Sequence, residues 1–538
     1  MKKRLIAISL MLPLLFGIFT QCEQKLDLTP LGTLDEQTFY QTENDFKSAV
    51  LVAYSALLNY TFEQNDGGGW WQGTLMTDDD ITYSNNNVND IDLFNWRSNE
   101  GPWGSLWGTS YKGVQRSNII LEKLPAANSL SDPLKKSFDG EARFLRAYYN
   151  FFLAIHFGTP PLILKTPRSL EETRAGNSKP GEILDLVVSD LRTAKASLPA
   201  KWDDGNLGRA TSSAASALLG KVLLYRAQWE NKPDLYAQAA TEFQGLTGKF
   251  SLVKNFRANF VPETENNTES IFEVQMGLGG GNPWLPPDFN FGSGGGVASA
   301  GNARLIHFGA ACGLNNDDCA PGANAAGYGR LNVTSSLQKA FEPGDPRRPW
   351  TIFINNDPYM TGENADGSKN KEKKWIFNGL WSATGSSPAK YVIGDKSDWR
   401  PNLSVNNDRI IRYADVMLML AECKILGATK DFAGAAALIN QVRRRADPTA
   451  LILPDMVVGT ENEMFKALMQ ERRVELAIES HRYNDLVRWQ RAGKIDIKKD
   501  VDFGRTAANT NWSTKNLLKP IPQRERDLDP TLVQNPGY

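Results

Sequence analysis

The chain has 538 residues, of which 41% are hydrophobic and 22% charged, and its formal net charge is −1. Without the leader cations Lys2, Lys3 and Arg4 the balance is about −4, which argues against a nucleic-acid or anionic-lipid surface. The length supplies core for two to four domains, or for one large helical domain.

Met1-Lys2-Lys3-Arg4 followed by the apolar run Leu5–Phe19 reads as a secretory signal, too short to span a membrane. Cys22 follows at once. Phe19-Thr20-Gln21 before it fit a lipoprotein box poorly, and ordinary cleavage is the alternative, but a cysteine placed where the apolar run ends favours lipidation. No later segment is long enough to cross a membrane.

Helical periodicity then dominates. Residues 43–59 form one amphipathic helix and 109–124 another, with Tyr111, Val114, Ile119 and Leu121 facing a core. Residues 139–157 form a strong helix ended by Gly158-Thr159-Pro160-Pro161. Helices follow over Gly181–Leu198, Thr211–Gln228 and Leu235–Gly245, the last two split by Asn231-Lys232-Pro233. Ala217, Ala239 and Ala240 let that pair approach closely, as in tetratricopeptide units, and a similar pair spans Ile411–Leu426 and Phe432–Ala446. Strands are limited to pieces such as Ser270–Gln275 and Ile410-Ile411, so a doubly wound sheet is excluded. The Pro-rich end, from Leu518 to Pro536-Gly537-Tyr538, offers a fixed turn and an aromatic plug and is expected to be docked.

Two stretches break the pattern. Residues 62–105 are rich in Asn, Asp and Gly and carry Trp70, Trp71, Trp96 and Trp103. Residues 277–330 are Gly-rich and carry Trp284, Phe289, Phe291 and Tyr328. Aromatics in polar loops must pack or bind. Sugar rings present apolar C–H faces that stack on such planes, while Asn and Asp meet the hydroxyls. Trp70, Trp71, Trp96, Trp284 and Tyr328 are therefore the candidate ligand contacts. Trp107 and Trp229 read as packing residues.

Enzyme signatures are missing. The histidines His156, His307 and His481 form no H-E-x-x-H, and no nucleophile elbow or phosphate loop is present. Glu471, Glu475 and Glu479, four apart on one helix face, are spaced like a glycosidase pair, at about 5–6 Å between Cβ atoms. The surrounding arginines, Arg443 to Arg445, Arg472, Arg473, Arg482 and Arg488, favour a structural ion-pair network instead. Asp78-Asp79-Asp80 could ligate calcium, but a solvated acidic loop is the preferred reading because no Gly-spaced ligand pattern follows. No cofactor or metal site is assigned. Cys312 and Cys319 flank a polar loop that a disulfide could close, and Cys423 reads as a buried thiol.

Several segments resemble the SusD/RagB family of nutrient-binding outer-membrane lipoproteins. They include Thr38-Phe39-Tyr40, Trp107–Leu124, Gly140–Tyr149 running into Phe157–Leu162, and Gly208-Arg209-Ala210. Further on come Phe341–Arg348, Ile411–Val416, Ala421-Glu422-Cys423, Val442–Ala446, Glu471-Arg472-Arg473, Arg482–Leu486 and the C-terminal end. In family order these cover nearly the whole mature chain. The resemblance implies an all-α, SusD-like fold of tetratricopeptide-type helix pairs with long irregular loop insertions. It implies a surface-exposed, lipid-anchored outer-membrane protein that binds oligosaccharide, partners a SusC-like TonB-dependent transporter, and performs no catalysis. A RagB-like peptide ligand, a tetratricopeptide protein-binding role and a glycoside hydrolase are the alternatives. The expected organisation is a signal peptide over 1–21, a tether over 22–37, a helical region over 38–276, a binding insertion over 277–330 and a C-terminal region over 331–538.

Overall fold

A computed structural model describes residues 39–62, 74–83, 90–169, 171–276, 329, 331–359, 362–363, 369–370, 375–391 and 406–538. Among these the fold is predominantly helical, with only short two-stranded ladders. The N-terminal half stacks α1 (Glu43–Phe62), α2 (Gly101–Lys123), α3 (Asp132–Phe157), α4 (Glu182–Ser197), α5 (Ser212–Trp229) and α6 (Leu235–Gln244), each packed on its neighbour in sequence. The C-terminal half adds α7 (Tyr413–Leu426), α8 (Phe432–Ala446), α9 (Glu461–Leu476) and α10 (Arg482–Arg491). Helix α7 packs on α6 as well as on α8 and α9, so one core joins the halves.

Local chemistry accounts for the boundaries. Helices α2 and α3 begin earlier than the apolar pattern indicates, because Pro102 and Pro133 sit in their first turns, where a missing N–H costs nothing. Gly158 ends α3 at φ 77°, a left-handed conformation suited to glycine. From Gly140 onward α3 is buried almost all round, as a central helix must be, except where Arg143 reaches the surface. In the α5–α6 pair, a Cβ on Gly220 would lie 2.5 Å from the Phe243 ring, so glycine sets how closely the two helices meet. A capping box of Thr460 and Glu463 starts α9.

The helical layer is pinned by buried ion pairs between distant motifs. Glu141 on α3 pairs with Arg209, and its Oε2 also accepts the Tyr54 hydroxyl at 3.0 Å. Arg146, one turn further on, donates to both oxygens of Asp190 on α4 at 2.7 and 2.9 Å. The segments Gly140–Tyr149 and Gly208-Arg209-Ala210 are thus two halves of one contact.

The chain end is docked as expected. The Tyr538 hydroxyl donates to the Leu518 carbonyl at 3.0 Å, and Asn535 Nδ2 donates to the Phe157 and Lys519 carbonyls at 3.0 and 2.7 Å. Cys423 is a buried free thiol. Cys312 and Cys319 lie outside the described residues.

Candidate ligand-binding site

Three short strands meet where the irregular stretches leave the helical frame. Strand β1 (Ile81–Tyr83) pairs antiparallel with β3 (Leu331–Val333); β2 (Ser270–Val274) lies elsewhere, paired with Asp408–Arg412. The register sets Tyr83 opposite Leu331. Because the pair is antiparallel, the chain leaves β1 after Tyr83 and enters β3 at Leu331 at the same end of the ladder. The 277–330 insertion therefore joins the ladder at the end where the chain leaves β1, whereas Trp70 and Trp71 precede β1, which begins at the other end. A third segment, Ser386–Pro388, packs on β3.

The acidic run before β1 holds this ladder to the helices. Asp78, Asp79 and Asp80 are buried, which corrects the reading of a solvated loop. Arg482 of α10 donates to both oxygens of Asp79 at 2.7 and 2.9 Å. Arg473 of α9 reaches Asp79 Oδ2 at 2.9 Å and Asp80 Oδ1 at 3.2 Å. Arg505 donates to the carbonyls of Ile81 and Asp78 at 2.7 and 2.9 Å. Burial pushes the Asp79 carboxyl up, but Arg473 and Arg482 outweigh it and hold it at about 2. Burial and the neighbouring acids push Asp78 well above the usual carboxylate range. Arginine fills the role that a cation would take. Among the described residues no group of acids, histidines or cysteines is arranged to hold a metal ion.

Glu471, Glu475 and Glu479 form an ion-pair network sealed in the core. Arg347 Nη1 lies 2.5 Å from Glu471 Oε1 and 3.2 Å from Glu475 Oε2. Arg412 Nη1 donates to Glu475 at 2.9 Å, its Nε to Glu479 at 2.6 Å, and Arg445 pairs with Glu475 as well. The expected single helix face is corrected: α9 stops at Leu476, and Ile478 and Ser480 take φ of 67° and 64°. The final carbonyls turn to buried Lys390, whose Nζ donates to Glu475 and Ala477 carbonyls at 3.1 and 2.8 Å. Burial opposes ionisation of Glu475, but Arg445, Arg412 and Arg347 hold it well below the usual range. An ionised carboxylate with 0% exposure can neither protonate a leaving group nor touch a sugar.

Of the candidate aromatic contacts, Trp70, Trp71, Trp284 and Tyr328 lie outside the described residues, as does Cys22. Trp96 is described, and its expected role is corrected. It is 2% exposed, its Nε1 donates to the Ile91 carbonyl at 2.9 Å, and its ring packs on Phe94, Trp103 and Tyr483 at 5.2 to 5.9 Å. Buried Lys519 lies over the same group, 5.4 Å from Trp96. Trp107 is core as expected, and Trp229 packs under Arg491. The sequence reading passed over Leu380 and Trp381, which border the ladder. The signal was available, since they sit between Asn378-Gly379 and Ser382 just as Trp284 sits between turn residues.

A family model described as "SusD family" matches residues 329–538, and one described as "Starch-binding associating with outer membrane" matches residues 37–224. SusD-like protein P25 of Formosa agariphila is 27% identical over 98% of each chain. A SusD superfamily structure from Bacteroides vulgatus is 25% identical with a TM-score of 0.72, covering 93% of this chain and all of that one. Surface glycan-binding protein A from Bacteroides fluxus is 25% identical with a TM-score of 0.71, covering 92% of this chain and all of its own.

Proposed function

The chain belongs to the SusD/RagB family, and on that premise we propose that it is a non-catalytic oligosaccharide-binding lipoprotein of the outer membrane. Lipid on Cys22 anchors it at the cell surface. Trp70, Trp71, Trp284 and Tyr328 grip the glycan, which is delivered to a SusC-like TonB-dependent transporter. The observation that carries the binding reading is the β1–β3 pairing, which the stretch with Trp70 and Trp71 precedes at Ile81 and the insertion with Trp284 and Tyr328 precedes at Leu331, so both aromatic-rich stretches lead into one short ladder. The name of the Bacteroides fluxus neighbour and the starch-binding description of the N-terminal family model support a carbohydrate ligand.

The chemistry suits capture. Indole faces stack on the C–H faces of sugar rings while amides and carboxylates take the hydroxyls. A ladder held by buried arginine pairs keeps its position before ligand arrives, so less ordering is lost on binding. The carboxylates most like a glycosidase pair are committed to arginines in the core, which supports binding without hydrolysis. Native gels cast with single polysaccharides test the proposal. Retardation by a glycan, with no product released, is expected. Release of sugars by the wild type, abolished in Glu475→Gln, would overturn it.

A further inference from the structure

The turn from Asn378 to Gly385 lies against the β1–β3 ladder and belongs to neither aromatic-rich stretch. Asn332 of β3, opposite Thr82, anchors it: Ala383 N donates to Asn332 Oδ1 at 3.0 Å, and Ser382 Oγ lies 2.5 Å from the same oxygen. The other shoulder is fixed by Asn355, whose Oδ1 accepts Gly379 N at 2.9 Å, and Asn378 Oδ1 accepts Leu380 N at 2.9 Å. From below, the Trp381 ring stands edge-on to Phe377, 5.8 Å between centroids and 88° between planes, and Phe377 stacks on Phe353. The turn is thus held on three sides, yet it presents Leu380 at 90% exposure beside a half-buried Trp381.

A single exposed leucine needs no explanation. An aliphatic and an indole held out together on a braced turn, one residue from the anchor to β3, do. A braced apolar surface costs no ordering when a ligand covers it. We infer that Trp381 and Leu380 form a further wall of the binding site, contacting the apolar face of a sugar ring bound at the ladder. This rests on the glycan-binding reading above and adds to it a contact surface from the C-terminal region. The chemical class is a glycan whose rings present contiguous axial C–H groups.

The test uses the full mature chain in native gels cast with soluble starch, laminarin, xylan or mannan. Wild type is compared with Trp381→Ala and with Leu380→Glu, which alters an exposed side chain and leaves the core intact. For whichever polysaccharide retards the wild type, each variant should bind about tenfold more weakly or worse, and Leu380→Glu should do so at an unchanged melting temperature. Retardation of Leu380→Glu equal to wild type overturns the inference and leaves the glycan reading standing. Failure of all four polysaccharides to retard the wild type overturns both together.

Discussion

Arg482 grips Asp79 with two hydrogen bonds, 2.7 Å from Nε and 2.9 Å from Nη2, across 403 residues of chain. The pair fastens the start of β1 to helix α10, so the β1–β3 ladder is held by the C-terminal core. Arg482→Met leaves a buried carboxylate short of a partner and is expected to cost about 3–5 kcal/mol. Urea denaturation would report it as a lower midpoint. The double variant Arg482→Met/Asp79→Leu should recover much of the loss, and a wild-type midpoint for Arg482→Met alone would show that the clamp contributes nothing.

Glu475→Gln is expected to lower stability by about 3–5 kcal/mol while leaving glycan affinity nearly intact, because the side chain faces only Arg347, Arg412 and Arg445. The pH dependence has a definite sign. Asp79, held at about 2, and Glu475, held lower than usual, bind protons less readily when folded than when unfolded. Their stabilisation is complete above the unfolded carboxyl value of about 4 and is lost as pH falls through the folded values. Melting temperatures between pH 6 and pH 2 should therefore fall, and Glu475→Gln should fall less steeply than wild type.

Lys519 gives the opposite end of the pH scale. Burial lowers its ammonium from 10.5 to about 7, and the rings of Trp96, Trp103 and Tyr483 at 5.3 to 5.5 Å surround it. The unfolded chain keeps that proton up to about pH 10, so between about 7 and 10 the unfolded state binds more protons and stability from this group rises with pH. Lys519→Met should flatten that slope and stabilise the protein most at pH 7 and below. An unchanged slope in Lys519→Met would contradict the assignment.

The proposed lipid anchor rests on Cys22, at the end of the apolar run. Cys22→Ala is expected to move the protein from the membrane fraction to the soluble one and to abolish labelling by a fatty-acid probe. Continued labelling of the variant would place the anchor elsewhere.

Local periodicity made the helices legible, and Phe432–Ala446 was read to its boundaries. The starts of α2 and α3 were missed because proline reads as a breaker even where the first turn favours it. The Glu471 cluster was recognisable because Arg443 and Arg445 lie near it in sequence, whereas its partners Arg347 and Arg412, 124 residues from Glu471 and 63 from Glu475, carry no local signal. Asp78 to Asp80 were misread as solvated because their partners, Arg473, Arg482 and Arg505, come almost 400 residues or more later. Trp96 was misread for a related reason. Its immediate neighbours Asn95 and Arg97 are polar, but the rings that enclose it come from Phe94, Trp103 and, far along the chain, Tyr483. Long-range partners carry no local pattern, so polar stretches that fold into the core look like surface.

Glycan capture by the loop tryptophans is tested most directly by measuring affinity and melting temperature together. A binding aromatic costs about 2 kcal/mol or more when truncated, a loss of about thirtyfold in affinity, while a core tryptophan costs about 3–5 kcal/mol of folding stability. Trp284→Ala, and one of Trp70→Ala and Trp71→Ala, should lose glycan affinity with the melting temperature nearly unchanged, and Trp96→Ala should melt early. Full affinity in Trp284→Ala, Trp70→Ala and Trp71→Ala, or early melting in all three, would contradict ligand capture by these loops.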